Sequence, residues 1–177
     1  MMIYSSSHLP GIPRTPGVPP TGTPPAPPVT GGPKTMAAEP AIRLIIVDDE
    51  APLLRAYKRI LGQHLGYQPE EIGTATDRMG ALAIYAAHQS TVLAVVTDGE
   101  MRETAPHNPQ ESGLILHDEL RELGFKGPIA VISAHLDPAH PRATSRMFRC
   151  LQTLFYKKPV TPADLISWLK HHGVGHT

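Results

Sequence analysis

The sequence is short of cysteine, of net charge and of long apolar runs, and each shortage removes a class of protein. Of 177 residues, one is cysteine, Cys150. A lone cysteine cannot build an internal disulfide framework, and it suits a reducing compartment. The 16 basic and 16 acidic side chains give a formal net charge of zero. Binding nucleic acid or an anionic membrane mainly through charge needs a basic excess, so neither is an expected partner. The best apolar run, Leu44-Ile45-Ile46-Val47, falls far below the ~20 residues a membrane helix needs. No charged segment followed by an apolar one opens the chain, which argues against a secretory signal. The expectation is a cytoplasmic protein without membrane insertion.

What is present is unevenly distributed. Residues 1–40 hold 11 of the 20 prolines and 5 of the 15 glycines. With few apolar anchors beyond Ile3, Leu9 and Ile12, this segment buries too little surface to offset its ordering entropy, and a disordered, locally polyproline-like tail is expected. Three readings stay open: a solvated leader, a ligand for an aromatic-lined groove, or a segment not made if translation starts at Met36. One domain is expected over 41–172, followed by a short tail over 173–177.

From Ala41 a pattern repeats: a short apolar run, a turn, an amphipathic stretch. Strands are expected at 43–47, 72–75, 92–97, 129–132 and 153–156. Helices are expected at 52–65, 78–88, 112–123, 139–151 and 162–171 from apolar residues at helical spacing, such as Leu53, Leu54, Tyr57, Ile60 and Leu61. Asp77 is a candidate N-cap and Gly124 a stop. Strands alternating with helices require parallel pairing through right-handed crossovers, hence a three-layer α/β sandwich. The near-continuous apolar strands agree, since such strands are covered on both faces.

Ligands of an open parallel sheet bind beyond the carboxyl ends of its strands. Asp48, Asp49 and Glu50 follow the first strand, Asp98 the third and Ser133 the fourth, with Lys157-Lys158-Pro159 around the fifth. Singly these are weak signals: Asp49 is equally a candidate helix N-cap, a serine in such a loop usually caps, and a surface lysine is usually solvated. Together they bring three carboxylates and a lysine to one rim. Carboxylates that close repel one another; a divalent cation resolves this, and Mg²⁺ takes a carboxylate or two plus waters and a phosphoryl oxygen.

Val47-Asp48-Asp49-Glu50, Val96-Thr97-Asp98, Ile132-Ser133-Ala134 and Phe155-Tyr156-Lys157-Lys158-Pro159 resemble the signature set of response-regulator receiver domains, over about 42–170. The resemblance implies a doubly wound five-stranded parallel sheet in the order 2-1-3-4-5, a flavodoxin-like arrangement for which a receiver is itself a standard example. It implies a single-domain response regulator, a switch rather than a turnover enzyme, that takes a phosphoryl group from a histidine kinase or histidine phosphotransfer protein. Asp98 resembles the phospho-acceptor, Asp49 the direct Mg²⁺ ligand, Asp48 its companion acting largely through water, and the Glu100 backbone carbonyl the third protein ligand. Ser133 matches the hydroxyl that bonds the phosphoryl group, Lys158 the lysine pairing with it, and Phe155 the aromatic switch, for which a permanently buried core Phe is the competing reading. Glu100 and His135 match positions that tune hydrolysis. The implied output face is the fourth helix, fifth strand and fifth helix, where Arg142, Arg146 and Arg149 form a basic stripe, read as a solvated face or as a dock for an acidic partner protein.

Two features depart from the pattern. Arg102 stands where the family has proline, and the matching glycine, Gly113, is fifteen after Asp98, which implies about seven residues inserted within 103–112. This leaves two rival readings: a phosphorylation-independent pseudo-receiver, favoured by the insertion and Arg102, and a small aspartyl-nucleophile hydrolase, favoured by Glu100 two after Asp98.

Overall fold

The structure is a computed structural model, and it describes residues 40–102, 111–134 and 152–176. The expected tail over 1–40 therefore lies outside the described residues except for Pro40. So do the helix expected at 139–151 with its arginine stripe, His135, Cys150 and most of the insertion.

The described elements run β1 (Leu44–Val47), α1 (Ala51–Leu65), a short 3-10 turn (Pro69–Glu71), β2 (Ile72–Ala75), α2 (Arg78–His88), β3 (Ala94–Asp98), α3 (Ser112–Glu122), β4 (Ile129–Ser133), β5 (Thr153–Lys157) and α4 (Pro162–His171). All pairings are parallel, in the order β2-β1-β3-β4-β5. The 3-10 turn was not anticipated: its proline and glutamates carry no periodicity, and it is held by a reciprocal Gln68–Glu71 capping box. The strand expected at 92–97 begins instead at Ala94, because the Val92 N–H still bonds back to the His88 carbonyl at the end of α2.

Side-chain alternation along the strands divides the core into two layers. Ile45, Val47, Val95, Ile129 and Val131 pack with Tyr85, Leu114, Leu120 and Phe125 on the α2–α3 side. Leu44, Ile46, Val96 and Ile132 pack with Leu54, Leu61, Leu165 and Leu169 on the α1–α4 side. Each such side chain contributes about 1.5–3 kcal/mol by leaving water, which requires both faces of the sheet to be covered. Helix limits follow local chemistry: Asp77 accepts from the Gly80 N–H at 2.7 Å, Thr161 caps α4 from its side chain, and Gly66 ends α1 at φ 77°.

Candidate functional site

Parallel strands in register bring their C-terminal ends to one rim. Asp98 ends β3 opposite Ile132, Ser133 ends β4 opposite Lys157, Asp48 follows β1, and Lys158 follows β5. The backbone there is tightly joined: Gly99 N–H donates to the Ile132 carbonyl at 2.7 Å and Lys158 N–H to the Ser133 carbonyl at 2.9 Å. Two glycines make this closeness possible. A Cβ on Gly113 would lie 2.2 Å from the Asp98 carbonyl oxygen, and one on Gly99 2.5 Å from the Ser133 Cβ. Gly113 N–H also bonds the Gly99 carbonyl. Ser112 closes the loop's base, its buried Oγ accepting the Met101 N–H at 2.7 Å.

Asp48 and Asp98 are only 4% and 8% exposed, and each of Asp48, Asp49 and Asp98 offers a carboxylate oxygen within 4.8 Å of the other two. Burial, above all, raises the Asp48 carboxyl to about 6; the Glu50 N–H opposes the rise and the Asp98 charge adds to it. Lys158 Nζ donates to Asp98 Oδ2 at 2.8 Å, and Glu100 N–H donates to Asp98 Oδ1 at 3.2 Å. Burial pulls the Lys158 ammonium down, but the hydrogen bond and charge of Asp98, with Asp48 behind it, raise it on balance. The Asp98 carboxylate is thereby gripped at both oxygens.

Asp49 does not cap α1: Glu50 is the N-cap, without a side-chain cap bond. Asp49 Oδ2 instead meets the Arg102 N–H at 3.3 Å and Arg102 Nε at 3.4 Å. The Arg102 side chain is 95% exposed, so this ion pair is weak. Lys157 is exposed, as alternation along the strand demands. Phe155 is half-buried against the α2–α3 layer, paired with Val131.

Sequence reasoning missed two features. Tyr57, seen only as part of a helical apolar stripe, joins Asp48, Asp98 and Lys158 around a cavity of about 10 Å³; burial first, and the Asp48 charge second, raise its hydroxyl. Ser133, 1% exposed, donates its hydroxyl to Glu100 Oε1 at 2.7 Å. The receiver resemblance implies a metal-binding carbonyl and a hydrolysis-tuning position for Glu100, and leaves the direction of its side chain open.

The donor set fits Mg²⁺: the oxygens that Asp48, Asp49 and Asp98 offer are hard carboxylate donors, close-set and partly buried.

No protein-family model and no curated protein matches the chain. Solved structures do. The response regulator receiver domain protein from Clostridium thermocellum is similar at TM-score 0.60 and 21% identity, covering 74% of this chain and 93% of that one. The receiver domain of the hybrid histidine kinase CckA is similar at TM-score 0.52 and 22% identity, covering 73% and 97%. RcsB from Salmonella enterica serovar Typhimurium, solved bound to promoter rprA with the phosphomimetic BeF3-, is similar at TM-score 0.56 and 18% identity, covering 75% and 98%. The fold is that of response-regulator receiver domains.

Proposed function

We propose that residues 41–172 are a receiver that accepts a phosphoryl group on Asp98 from a histidine kinase or histidine phosphotransfer protein and signals by protein contact. The observation that carries this reading is the convergence on Asp98: Lys158 Nζ at 2.8 Å on one side and the Asp48–Asp49–Asp98 oxygen cluster on the other.

Phosphoryl transfer needs an in-line nucleophile with positive charge around the equatorial oxygens. Asp98 supplies the nucleophile: its carboxylate oxygen bonds phosphorus as the bond from phosphorus to the donor's leaving group breaks. Lys158, already on the carboxylate, supplies a fixed cation. Asp48, Asp49, Asp98 and the Glu100 carbonyl would hold Mg²⁺, which when bound neutralises the crowded carboxylates and the charge on the phosphoryl oxygens. The Ser133 hydroxyl lies on the same rim, and a phosphoryl acceptor there is worth about 1.5–3 kcal/mol to it. Drawing the end of β4 inward gives Phe155, half-buried beside Val131, room to bury further, worth about 1.5–3 kcal/mol. Two terms of similar size can bias a two-state surface. The output face includes β5 and α4. Glu100 and His135 set the lifetime of the phospho-aspartate.

The test is incubation with Mg²⁺ and a small acyl-phosphate donor, comparing wild type with Asp98→Asn. One phosphoryl group per wild-type chain and none on the variant is expected. No label and no Mg²⁺ binding would instead establish a phosphorylation-independent interaction module, and continuous phosphate release a hydrolase.

A further inference from the structure

Resting on the phospho-acceptor reading, we infer that the Glu100 carboxylate is a latch on Ser133: it occupies the switch hydroxyl before phosphorylation and must surrender it afterwards. Four observations carry this. The Ser133 hydroxyl donates to Glu100 Oε1 at 2.7 Å, and Ser133 is only 1% exposed. Charge-assisted hydrogen bonds of this kind are about twice as strong as neutral ones. Glu100 is tied by its own N–H to Asp98 Oδ1 at 3.2 Å, so one residue touches both the acceptor and the hydroxyl. Gly99 makes the contact possible, because any side chain there would collide with the Ser133 Cβ.

The direction of the effect follows from charge. Before transfer Asp98 carries about one negative charge, partly cancelled by Lys158, and Glu100 lies near it at tolerable cost. A phosphoryl group brings roughly −1.5 to −2 charges and three strong acceptor oxygens. It repels the Glu100 carboxylate and offers Ser133 a better acceptor, so the hydroxyl passes from Glu100 to the phosphoryl oxygen. Glu100 thereby holds the resting arrangement and sharpens the response; it is a positioning residue acting through Ser133.

The first arm of the test uses the full chain, unphosphorylated. In wild type the Ser133 hydroxyl proton is expected to exchange slowly enough for NMR detection, and Glu100→Ala to abolish that protection with the rest of the spectrum retained. Glu100→Gln, which keeps an acceptor oxygen, is expected to retain it in part. An unprotected hydroxyl in wild type, or protection unchanged in Glu100→Ala, overturns the latch. The second arm compares labelling rates with a small acyl-phosphate donor for wild type, Glu100→Ala, Ser133→Ala and the double variant. A purely electrostatic role accelerates labelling by the same factor with or without Ser133. A latch makes the two substitutions couple, by about fivefold or more, as a bond between them requires. Label on wild type with coupling near one overturns the latch alone, whereas no label on wild type overturns the phospho-acceptor reading beneath it.

Discussion

Lys158 Nζ reaches Asp98 Oδ2 at 2.8 Å although the two residues are sixty positions apart and stand at the ends of strands separated by β4. Its ammonium and the Glu100 N–H grip the same carboxylate from two sides, which holds a buried anion beside two others. We expect Lys158→Met to lower the stability of the metal-free protein by about 1–2 kcal/mol near neutral pH, since removing one partner of a half-buried pair strands the other charge. Urea denaturation measures it; a variant at least as stable as wild type would show that Lys158 does not offset the acidic cluster.

Asp48 makes stability depend on pH. Its carboxyl stands at about 6 in the folded chain against 3.8 unfolded. A raised carboxyl binds more protons folded than unfolded, so its contribution is complete below the unfolded value and is lost as pH rises through 6. That loss is about 2–3 kcal/mol. His117, lowered by burial, works in the opposite sense, losing stability as pH falls through its usual range. The clean measurement is therefore the difference between wild type and Asp48→Asn: we expect it to fall between about pH 4 and 7 in metal-free buffer. A flat difference would mean that Asp48 titrates normally.

Divalent cations should reverse the penalty of the acidic cluster. At a hundredfold excess over its dissociation constant, Mg²⁺ should stabilise wild type by about 2.7 kcal/mol. Asp49→Asn should lose most of that gain while its metal-free stability holds or rises. Equal stabilisation of both proteins by Mg²⁺, followed by thermal unfolding, would place the cation elsewhere.

Gly113 tolerates no side chain. An added Cβ would overlap the Asp98 carbonyl oxygen at 2.2 Å and the Gly99 Cα at 2.7 Å, both backbone atoms that cannot step aside. Gly113→Ala should cost about 2–3 kcal/mol, at the upper end for overpacking, and weaken Mg²⁺ binding because the backbone of Asp98 moves. Wild-type Mg²⁺ affinity in a stable Gly113→Ala protein would show that the strain is absorbed in α3.

Ser112 anchors the base of the insertion. Ser112→Ala would leave the Met101 N–H without its 2.7 Å acceptor, at a cost of about 1–3 kcal/mol for an unsatisfied buried donor. Hydrogen exchange at Met101 reports it directly: faster exchange is expected, and unchanged protection would mean another acceptor takes over.

Much of this molecule is written in short-range pattern. The apolar runs at Leu44–Val47, Ala94–Asp98 and Ile129–Ser133 and the helical stripes between them dictate parallel strands buried on both faces, because nothing else covers so much apolar surface. Alternation with helices then puts Asp48, Asp98, Ser133 and Lys158 at the ends of strands. Which atoms meet is a different matter, since a contact across sixty residues is decided by strand register and side-chain direction rather than by spacing. Only the packed structure turns the Glu100 side chain onto Ser133, brings Tyr57 to the acidic pocket and hands Asp49 to Arg102 instead of the end of α1. Gly113 shows the division most clearly: the sequence marks a glycine there, and only the packed backbone shows that a side chain would meet the Asp98 carbonyl oxygen at 2.2 Å.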